Sequence, residues 1–399
     1  MKNYKVHLQY AGTCQLYDKI WFSNGGFNGL FSLNIADFSI EYKHRIPFLD
    51  SQVQWAYADC CCTYHNKLFF FPGNCKEIMI YDVEKDDIQA VSIFPIDGSE
   101  IYRTHGIVQL KEQIWIFPQK PIQGIFILNL STLQIEKDLE LCKLFEGKEC
   151  IYTVISLNET EIAVLLENNT ILQIDIKKKQ KIYSKHFDSD MDIWTIRYDS
   201  NNFWLLQGNS TDVYEWNQRE DKLIKYKLLE AEWIASAARP YSDIVFCNDQ
   251  IILMNCRLKY IMKIDKETHT ISKAVDYPEG FRFIENCFRI NEEPAITAID
   301  VIDNKLLLHP MLGNMLLIYD VEKNDIKGKE LVVTSDEVPF LEKIIGQGLQ
   351  RNGIFYEAED IGELEVFLDA VVDQKCTSSN EKDDKGIGQK IYSSVIETL

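Results

Sequence analysis

A set of aromatic and cationic side chains stands next to predicted strand ends, and these residues are the best suited to bind a ligand. The set consists of Trp55, Tyr57, Arg103, His105, Tyr152, Trp194, Trp233, Arg239, Arg282 and His309. Aromatic ring faces combined with Arg and His donors suit a carbohydrate, an anionic small molecule or a peptide. The competing interpretation is that the aromatic members only seal the packing between neighbouring structural units.

A second set offers carboxylates for acid–base chemistry. Its members are Asp59, Asp190, Asp192, Glu232 and Asp243. Glycoside hydrolysis needs two carboxylates that face each other across the substrate, and the sequence does not show which two would do so. The GxSxG, Walker A, GxGxxG and HExxH patterns are absent from the sequence. We therefore expect a protein without catalytic activity, with a sugar-active lyase or hydrolase as the alternative.

The cysteines and histidines form no recognisable metal motif. The eleven cysteines include the consecutive Cys60, Cys61 and Cys62, and no CxxC pair occurs. Neighbouring side chains on a strand point to opposite faces, so this run does not easily ligate one metal ion. The seven histidines are dispersed along the chain. We expect buried thiols in a reducing compartment, and neither a metal ion nor a cofactor.

A repeat organises most of the chain, and its units must position both sets. Segments 78–88 and 316–326 read IMIYDVEKDDI and LLIYDVEKNDI, and weaker copies accompany them. Each copy has an apolar run, then Asp or Asn, a polar turn and another apolar run. The Asp or Asn positions are Asn34, Asp82, Asn129, Asp175, Asn217, Asp265 and Asp320, with a mean spacing of about 48 residues. A separate column of apolar runs, ahead of each Asp or Asn, steps with nearly the same spacing.

Within a unit the pattern is strand-like throughout. The second copy contains the runs ADCCCTYH, KLFFF, EIMIYDV and IQAVSIF, which are rich in β-branched and aromatic residues and separated by turn-forming residues. Four short antiparallel strands are therefore expected in each unit. The recurring Asp or Asn is expected to begin the outer hairpin, where its side chain accepts hydrogen bonds from backbone N–H groups two residues on. Calcium ligation is the less favoured reading, because no DxDxDG loop accompanies the column.

This period and strand pattern resemble those of the β-propeller superfamily, with Kelch and galactose-oxidase-like proteins as the nearest seven-bladed relatives. The resemblance covers about residues 10–333. It implies an all-β, seven-bladed propeller of four-stranded antiparallel blades, with six blades as the alternative. The Kelch Gly-Gly doublet occurs once, as Gly25-Gly26, without the Trp that follows it in Kelch blades. No Trp-Asp dipeptide ends a unit, and the galactose-oxidase copper ligands find no match, so the resemblance leaves function open.

Strand order places the candidate ligand contacts on one face. If strand A of each unit lies at the axis and strands B, C and D follow outwards, the D–A and B–C connections share one face. Loops on a rigid scaffold usually carry function, and we expect this face to bind a protein, peptide or glycan. Ring closure is expected from the strand-like segment 3–10 or from segment 353–357.

The C-terminal extension has a different composition. Residues 334–399 contain 14 Asp or Glu and 6 Lys or Arg. Segments 359–373 and 388–399 have apolar residues at helical spacing. We expect one or two helices that dock either on the chain's own propeller at 1–333 or on a partner.

Overall composition narrows the class of partner. Lys and Arg number 42 against 61 Asp and Glu, which gives a formal net charge of −19. Such an excess disfavours nucleic acid or an anionic membrane surface as the main partner. The sequence has no apolar run long enough for a membrane span and no apolar N-terminal run typical of a signal peptide. We expect a cytoplasmic protein.

Overall fold

The computed structural model describes residues 2–5, 8–25, 28–49, 56–147, 149–229, 240–255, 260–281 and 296–335. These residues belong to the compact unit Met1–Ser335, and Asp336–Leu399 form a second unit. The predicted helices at 359–373 and 388–399, and the strand-like segment 353–357, lie outside the described residues. The predicted boundary after residue 333 stays a prediction.

The described residues form an almost entirely β structure. After β1 (Lys2–Lys5), they divide into seven consecutive four-stranded meanders. The strands are β2 Leu8–Leu16, β3 Lys19–Asn24, β4 Leu30–Asn34 and β5 Ile40–His44; β6 Tyr57–Tyr64, β7 Lys67–Pro72, β8 Glu77–Asp82 and β9 Asp87–Ser92; β10 Thr104–Leu110, β11 Gln113–Pro118, β12 Phe126–Asn129 and β13 Ile135–Lys137; β14 Ile151–Ser156, β15 Glu161–Leu166, β16 Thr170–Asp175 and β17 Gln180–His186; β18 Ile193–Tyr198, β19 Phe203–Gln207, β20 Val213–Asn217 and β21 Lys222–Leu228; β22 Tyr241–Cys247, β23 Gln250–Asn255, β24 Tyr260–Asp265 and β25 Thr270–Asp276; β26 Ile296–Ile302, β27 Lys305–Gly313, β28 Met315–Asp320 and β29 Asp325–Glu330. A last strand, β30 Val332–Ser335, follows the seventh meander.

Helical structure in this part of the chain is confined to connections. The helix α1 (Leu139–Lys143) and the 3-10 helices η1 (Pro121–Gln123) and η2 (Ser189–Met191) all lie between strands. No helix among the described residues is long and apolar enough to cross a membrane.

Burial follows the order of strands within a meander. The second and third strands, such as β7 and β8, are buried at every position after the first residue. The fourth strands, such as β9 and β17, alternate between exposed and half-buried positions. The first strands contact the first strands of neighbouring meanders, as β6 does with β2 and β10. The first strand is therefore the inner strand A of each unit, and the fourth is the outer strand D.

The recurring Asp or Asn closes the turn between the third and fourth strands in all seven meanders. Its side-chain oxygen accepts a hydrogen bond from a backbone N–H two or three residues on, which confirms the expected role. The fourth residue after it has a left-handed backbone in each case: Phe38, Asp86, Leu133, Lys179, Asp221, His269 and Asn324. One turn geometry is thus repeated along the chain.

Replacing Asn129 by Ala should lower the free energy of unfolding by about 1 kcal/mol, because two backbone donors lose their acceptor. The Asn129 side chain accepts hydrogen bonds from Ser131 N at 3.0 Å and Thr132 N at 2.9 Å. Urea unfolding measures the change. Asn129→Asp keeps the acceptor and should stay close to the natural chain, whereas an Ala variant of unchanged stability would contradict this role.

The two ends of the described chain meet on the first meander. The strand β30 pairs parallel with β5, and β1 pairs antiparallel with β30 on its outer side. The first two residues of β2 also pair with β27 of the seventh meander. The N-terminal segment therefore takes part in joining the first and last units. This agrees with the expectation that segment 3–10 contributes to ring closure.

Candidate functional site

Every inner strand carries a bulge near its start. The register with the second strand shifts after Ala11, Tyr57, Thr104, Ile151, Ile193, Tyr241 and Ile296. Six of these bulges follow a D–A connection, and the bulge in β2 lies at the corresponding end of its strand after β1. This side also carries the B–C connections. We call this side the mouth face. A bulge redirects side chains away from the regular ladder, and bulges are common beside functional sites.

Three predicted ligand contacts occupy the extra position of three successive bulges. They are His105 in β10, Tyr152 in β14 and Trp194 in β18, and all three are half-buried. Tyr152 packs against the apolar cluster between the fourth and fifth meanders, and Trp194 against that between the fifth and sixth. These aromatic side chains therefore help to seal interfaces and also keep part of their surface exposed.

Arg103 lies on the surface of the mouth face. Its guanidinium donates a hydrogen bond to Asn74 Oδ1 at 2.6 Å, which joins the second and third meanders. Lys120, in the B–C connection of the third meander, is exposed as well. The third meander thus presents cations at the mouth face of an acidic chain.

The structure places Tyr57 and His309 in the interior, with 1% and 0% of their surfaces exposed. His309 Nε2 lies 2.7 Å from Asp300 Oδ2, and the Thr13 hydroxyl donates to Asp300 Oδ1 at 3.1 Å. The ring of Tyr10 packs against the imidazole, with the ring centroids 4.5 Å apart and the planes tilted by 50°. Burial, followed by the charge of Asp300, raises the pKa of Tyr10. His309 therefore helps to join the first and seventh meanders. Trp55, Trp233, Arg239 and Arg282 lie outside the described residues.

Two of the candidate carboxylates lie on one firmly held connection. Asp190 is in η2 and Asp192 follows it, with a left-handed backbone at φ 44°. Asn169 Oδ1 accepts from Ile193 N at 2.8 Å, and Asn169 Nδ2 donates to the Asp188 carbonyl at 3.0 Å. Gly208 closes over this connection, where an added Cβ would lie 2.7 Å from Asp192 Oδ2. Asn169 and Gly208 thereby fix the backbone of the connection that carries the two exposed carboxylates.

Among the remaining candidate carboxylates, only Asp243 has a described side chain. Asp243, in the inner strand β22, accepts a hydrogen bond from Arg197 of β18 at 2.8 Å, so its charge is paired. Nothing is described for the side chain of Asp59, and Glu232 lies outside the described residues. In the described part of the chain, no group of three or more His, Cys, Asp or Glu side chains could hold a metal ion.

The mouth face also carries a group of exposed apolar residues that were not predicted from the sequence as candidate binding residues. Phe94, Ile96, Ile101 and Ile122 expose 71%, 45%, 45% and 70% of their surfaces. Two hydrogen bonds bring their segments together: Ile96 N donates to the Gln123 carbonyl at 2.9 Å, and Gln123 Nε2 donates to the Ile101 carbonyl at 2.8 Å. We call this group the Phe94 patch. Its sequence signal is apolar residues beside Pro95 and Pro121 in connections that are otherwise polar.

Comparison with known proteins gives a fold and no family. No protein-family model matches the chain, and no curated protein matches it. Among solved structures, the chain is similar to a streptogramin B lyase, with a TM-score of 0.54 and 14% identity over 77% of this chain and 92% of that one. It is also similar to the extracellular domain of a hybrid two component system from B. thetaiotaomicron, with a TM-score of 0.53 and 12% identity over 80% of this chain and 40% of that one. A chain of the mitotic checkpoint complex gives a TM-score of 0.50 and 9% identity over 83% of this chain and 91% of that one.

These similarities define the class of fold. The chain is a β-propeller, built from four-stranded antiparallel sheets as the repeat predicts. At such low identity the comparison shows the fold alone. The resemblance to the Kelch and galactose-oxidase-like subtype stays a prediction.

Proposed function

We propose that this propeller is a non-catalytic protein-binding module that docks its partner on the mouth face. The observation that carries the proposal is the Phe94 patch. Apolar side chains of this size, exposed together and bordered by polar groups, are typical of protein interaction sites. Exposed Arg103 and Lys120 lie in the same two connections and supply charged donors at its border.

The scaffold suits this task because the proposed ring is closed and rigid. Inner-strand contacts run from β26 through β2, β6, β10 and β14 to β18, and from β22 back to β26, while β19 contacts β22. We propose that the seven meanders are the seven blades of one ring. The strands are committed to packing against their neighbours, so variation in binding is confined to the connections.

A protein is a better fit to this surface than a glycan. Glycan binding relies on exposed aromatic faces, but Tyr57 is buried and Tyr152 and Trp194 are partly occupied in interfaces. Three of the four patch residues are isoleucines, which offer apolar area without a ring face. One of the similar solved structures is a chain within a protein complex, which is consistent with such a use of the fold.

Replacing Ile122 by Asp should weaken partner binding at least tenfold, on the order of 1.4 kcal/mol or more, because a charge would be buried at the interface. Proteins that co-purify with the full chain would be identified by mass spectrometry, purified and titrated by calorimetry. Ile182→Asp is the matched control, since Ile182 is 50% exposed on the outer strand β17. Both variants should unfold at the temperature of the natural chain.

The proposal fails if every purified partner binds the Ile122→Asp variant as tightly as the control. It also fails if two results occur together. In the first, the chain binds to glycan arrays equally well with and without the Ile122→Asp substitution, and in the second, no protein partner co-purifies. Cleavage of a bound sugar by the purified chain would instead support the enzyme alternative.

A further inference from the structure

The inner strands of the first two meanders carry cysteines at neighbouring levels of the ladder. Cys61 pairs with Phe70, and this is the level of Thr13 in the first meander. The other five meanders carry aliphatic residues at that level: Ile107, Val154, Ile196, Ile244 and Ile299. Cys14 pairs with Trp21, one level further along the strand. The two thiols therefore lie one level apart on adjacent inner strands.

These two thiols are in direct contact. Cys14 and Cys61 belong to the same apolar cluster between the first and second meanders, and a side-chain hydrogen bond joins their sulfur atoms. That hydrogen bond, together with burial, raises the pKa of the Cys61 thiol. Cys14 is buried, while Cys61 keeps part of its surface exposed.

The neighbouring cysteines are engaged elsewhere. Cys75 lies in the same cluster, but its S–H group donates to the Ala56 carbonyl at 2.8 Å. Cys60 and Cys62 pack against the next cluster, between the second and third meanders. The alternation of side chains along β6 thus sends only the middle cysteine of the run toward Cys14.

We propose that Cys14 and Cys61 form a reversible dithiol–disulfide site that covalently links the first and second meanders. The oxidant is a hydroperoxide of small size. One thiolate attacks the peroxide oxygen and becomes a sulfenic acid as hydroxide leaves and is protonated to water. The second sulfur then attacks the sulfenic sulfur, the S–S bond forms and a second water leaves. Two thiols and one hydrogen peroxide give one disulfide and two waters, and a dithiol reductant reverses the step.

Attack by Cys61 on the peroxide is slow at neutral pH and faster in alkaline buffer, because the raised pKa of this thiol keeps its thiolate fraction small. Its rate should therefore rise by about tenfold per pH unit until the attacking thiol is ionised. Oxidation of isolated surface thiols gives sulfenic, sulfinic and sulfonic acids instead. Dithiothreitol does not reduce the sulfinic and sulfonic acids back to thiols.

The test treats the full chain with hydrogen peroxide, blocks remaining thiols by alkylation and maps tryptic peptides without reduction. We expect peptide 6–19 linked to peptide 46–67, and loss of the link after dithiothreitol. The link should persist in the Cys60→Ser/Cys62→Ser double variant. It should fall at least tenfold in Cys14→Ala and in Cys61→Ala.

Fragmentation of the linked peptides from the natural chain assigns the bonded sulfurs directly, so the result stands even if a variant fails to fold. A link that joins Cys60 or Cys62 to peptide 6–19 overturns the proposal. So does a chain whose only products are sulfinic and sulfonic acids, or one in which these peptides never become linked.

Discussion

Replacing Asp300 by Val should lower the free energy of unfolding by about 3 kcal/mol, because the buried imidazole of His309 and the Thr13 hydroxyl both lose a hydrogen-bond partner. His309 has no exposed surface, and Asp300 Oδ2 lies 2.7 Å from its Nε2 atom. The substitution removes this partner and also the acceptor of the Thr13 hydroxyl. Urea unfolding followed by tryptophan fluorescence measures the change.

The double variant Asp300→Val/His309→Phe should recover stability to within about 1 kcal/mol of the natural chain, because replacing a whole buried pair by apolar groups is often neutral. The third meander already carries this combination, with Val108 and Phe117 at the equivalent register positions. A single variant as stable as the natural chain would refute a stabilising role for the pair. A double variant no better than the single one would show that the interface needs its polar partners.

Replacing Gly106 by Ala should cost about 2–3 kcal/mol, because an added methyl group overpacks two inner strands. A Cβ at Gly106 would lie 2.7 Å from Val154 Cβ and 2.9 Å from Val154 Cγ2. Both strands must move apart for it to fit, and His105 at the adjoining bulge would move with them. Thermal unfolding and chemical denaturation both measure the loss.

Exchanging the two residues tests the cause of that loss. The Gly106→Ala/Val154→Gly variant removes the clash, so it should be more stable than Gly106→Ala despite a glycine within a strand. The seventh meander has Ala298 at the register position of Gly106, so the sequence already has an alanine at this level of the ladder. If the exchange gives no recovery, the close approach of Val154 is not what limits the position.

The repeat in the sequence was sufficient to predict the architecture of the described chain. Apolar runs in phase with the Asp or Asn column became the buried second and third strands, and the column itself closes the turns, as Asn129 shows. These features are local, because each depends on residues a few positions apart. The number of blades in the ring depends on contacts between units, and it stays a proposal.

The site was less predictable because it depends on pairing and burial. A bulge is a mismatch between two strands, so nothing at His105 or Trp194 alone reveals it. His309 follows an apolar run as expected, but its partner Asp300 lies on another strand and draws it inside. The repeat does not reveal the dithiol either, because the register equivalent of Cys14 is Cys62 and not Cys61.

The arrangement of β1, β30 and β5 determines which strand pairing breaks first when mechanical force is applied to the ends of the described chain. Lys2 pairs with Ser335 at one end of the β1–β30 ladder, which runs to Lys5 opposite Val332. Tension applied between Lys2 and Ser335 therefore acts on one residue pair of the β1–β30 ladder at a time. The pairs of this ladder separate one after another, starting from Lys2 and Ser335. Beyond it, Val333 beside Ile40 belongs to a parallel ladder, and Leu8 beside Gly313 ties β2 to β27. The outermost ladder thus yields first under load and spares the contacts that join the first and seventh meanders.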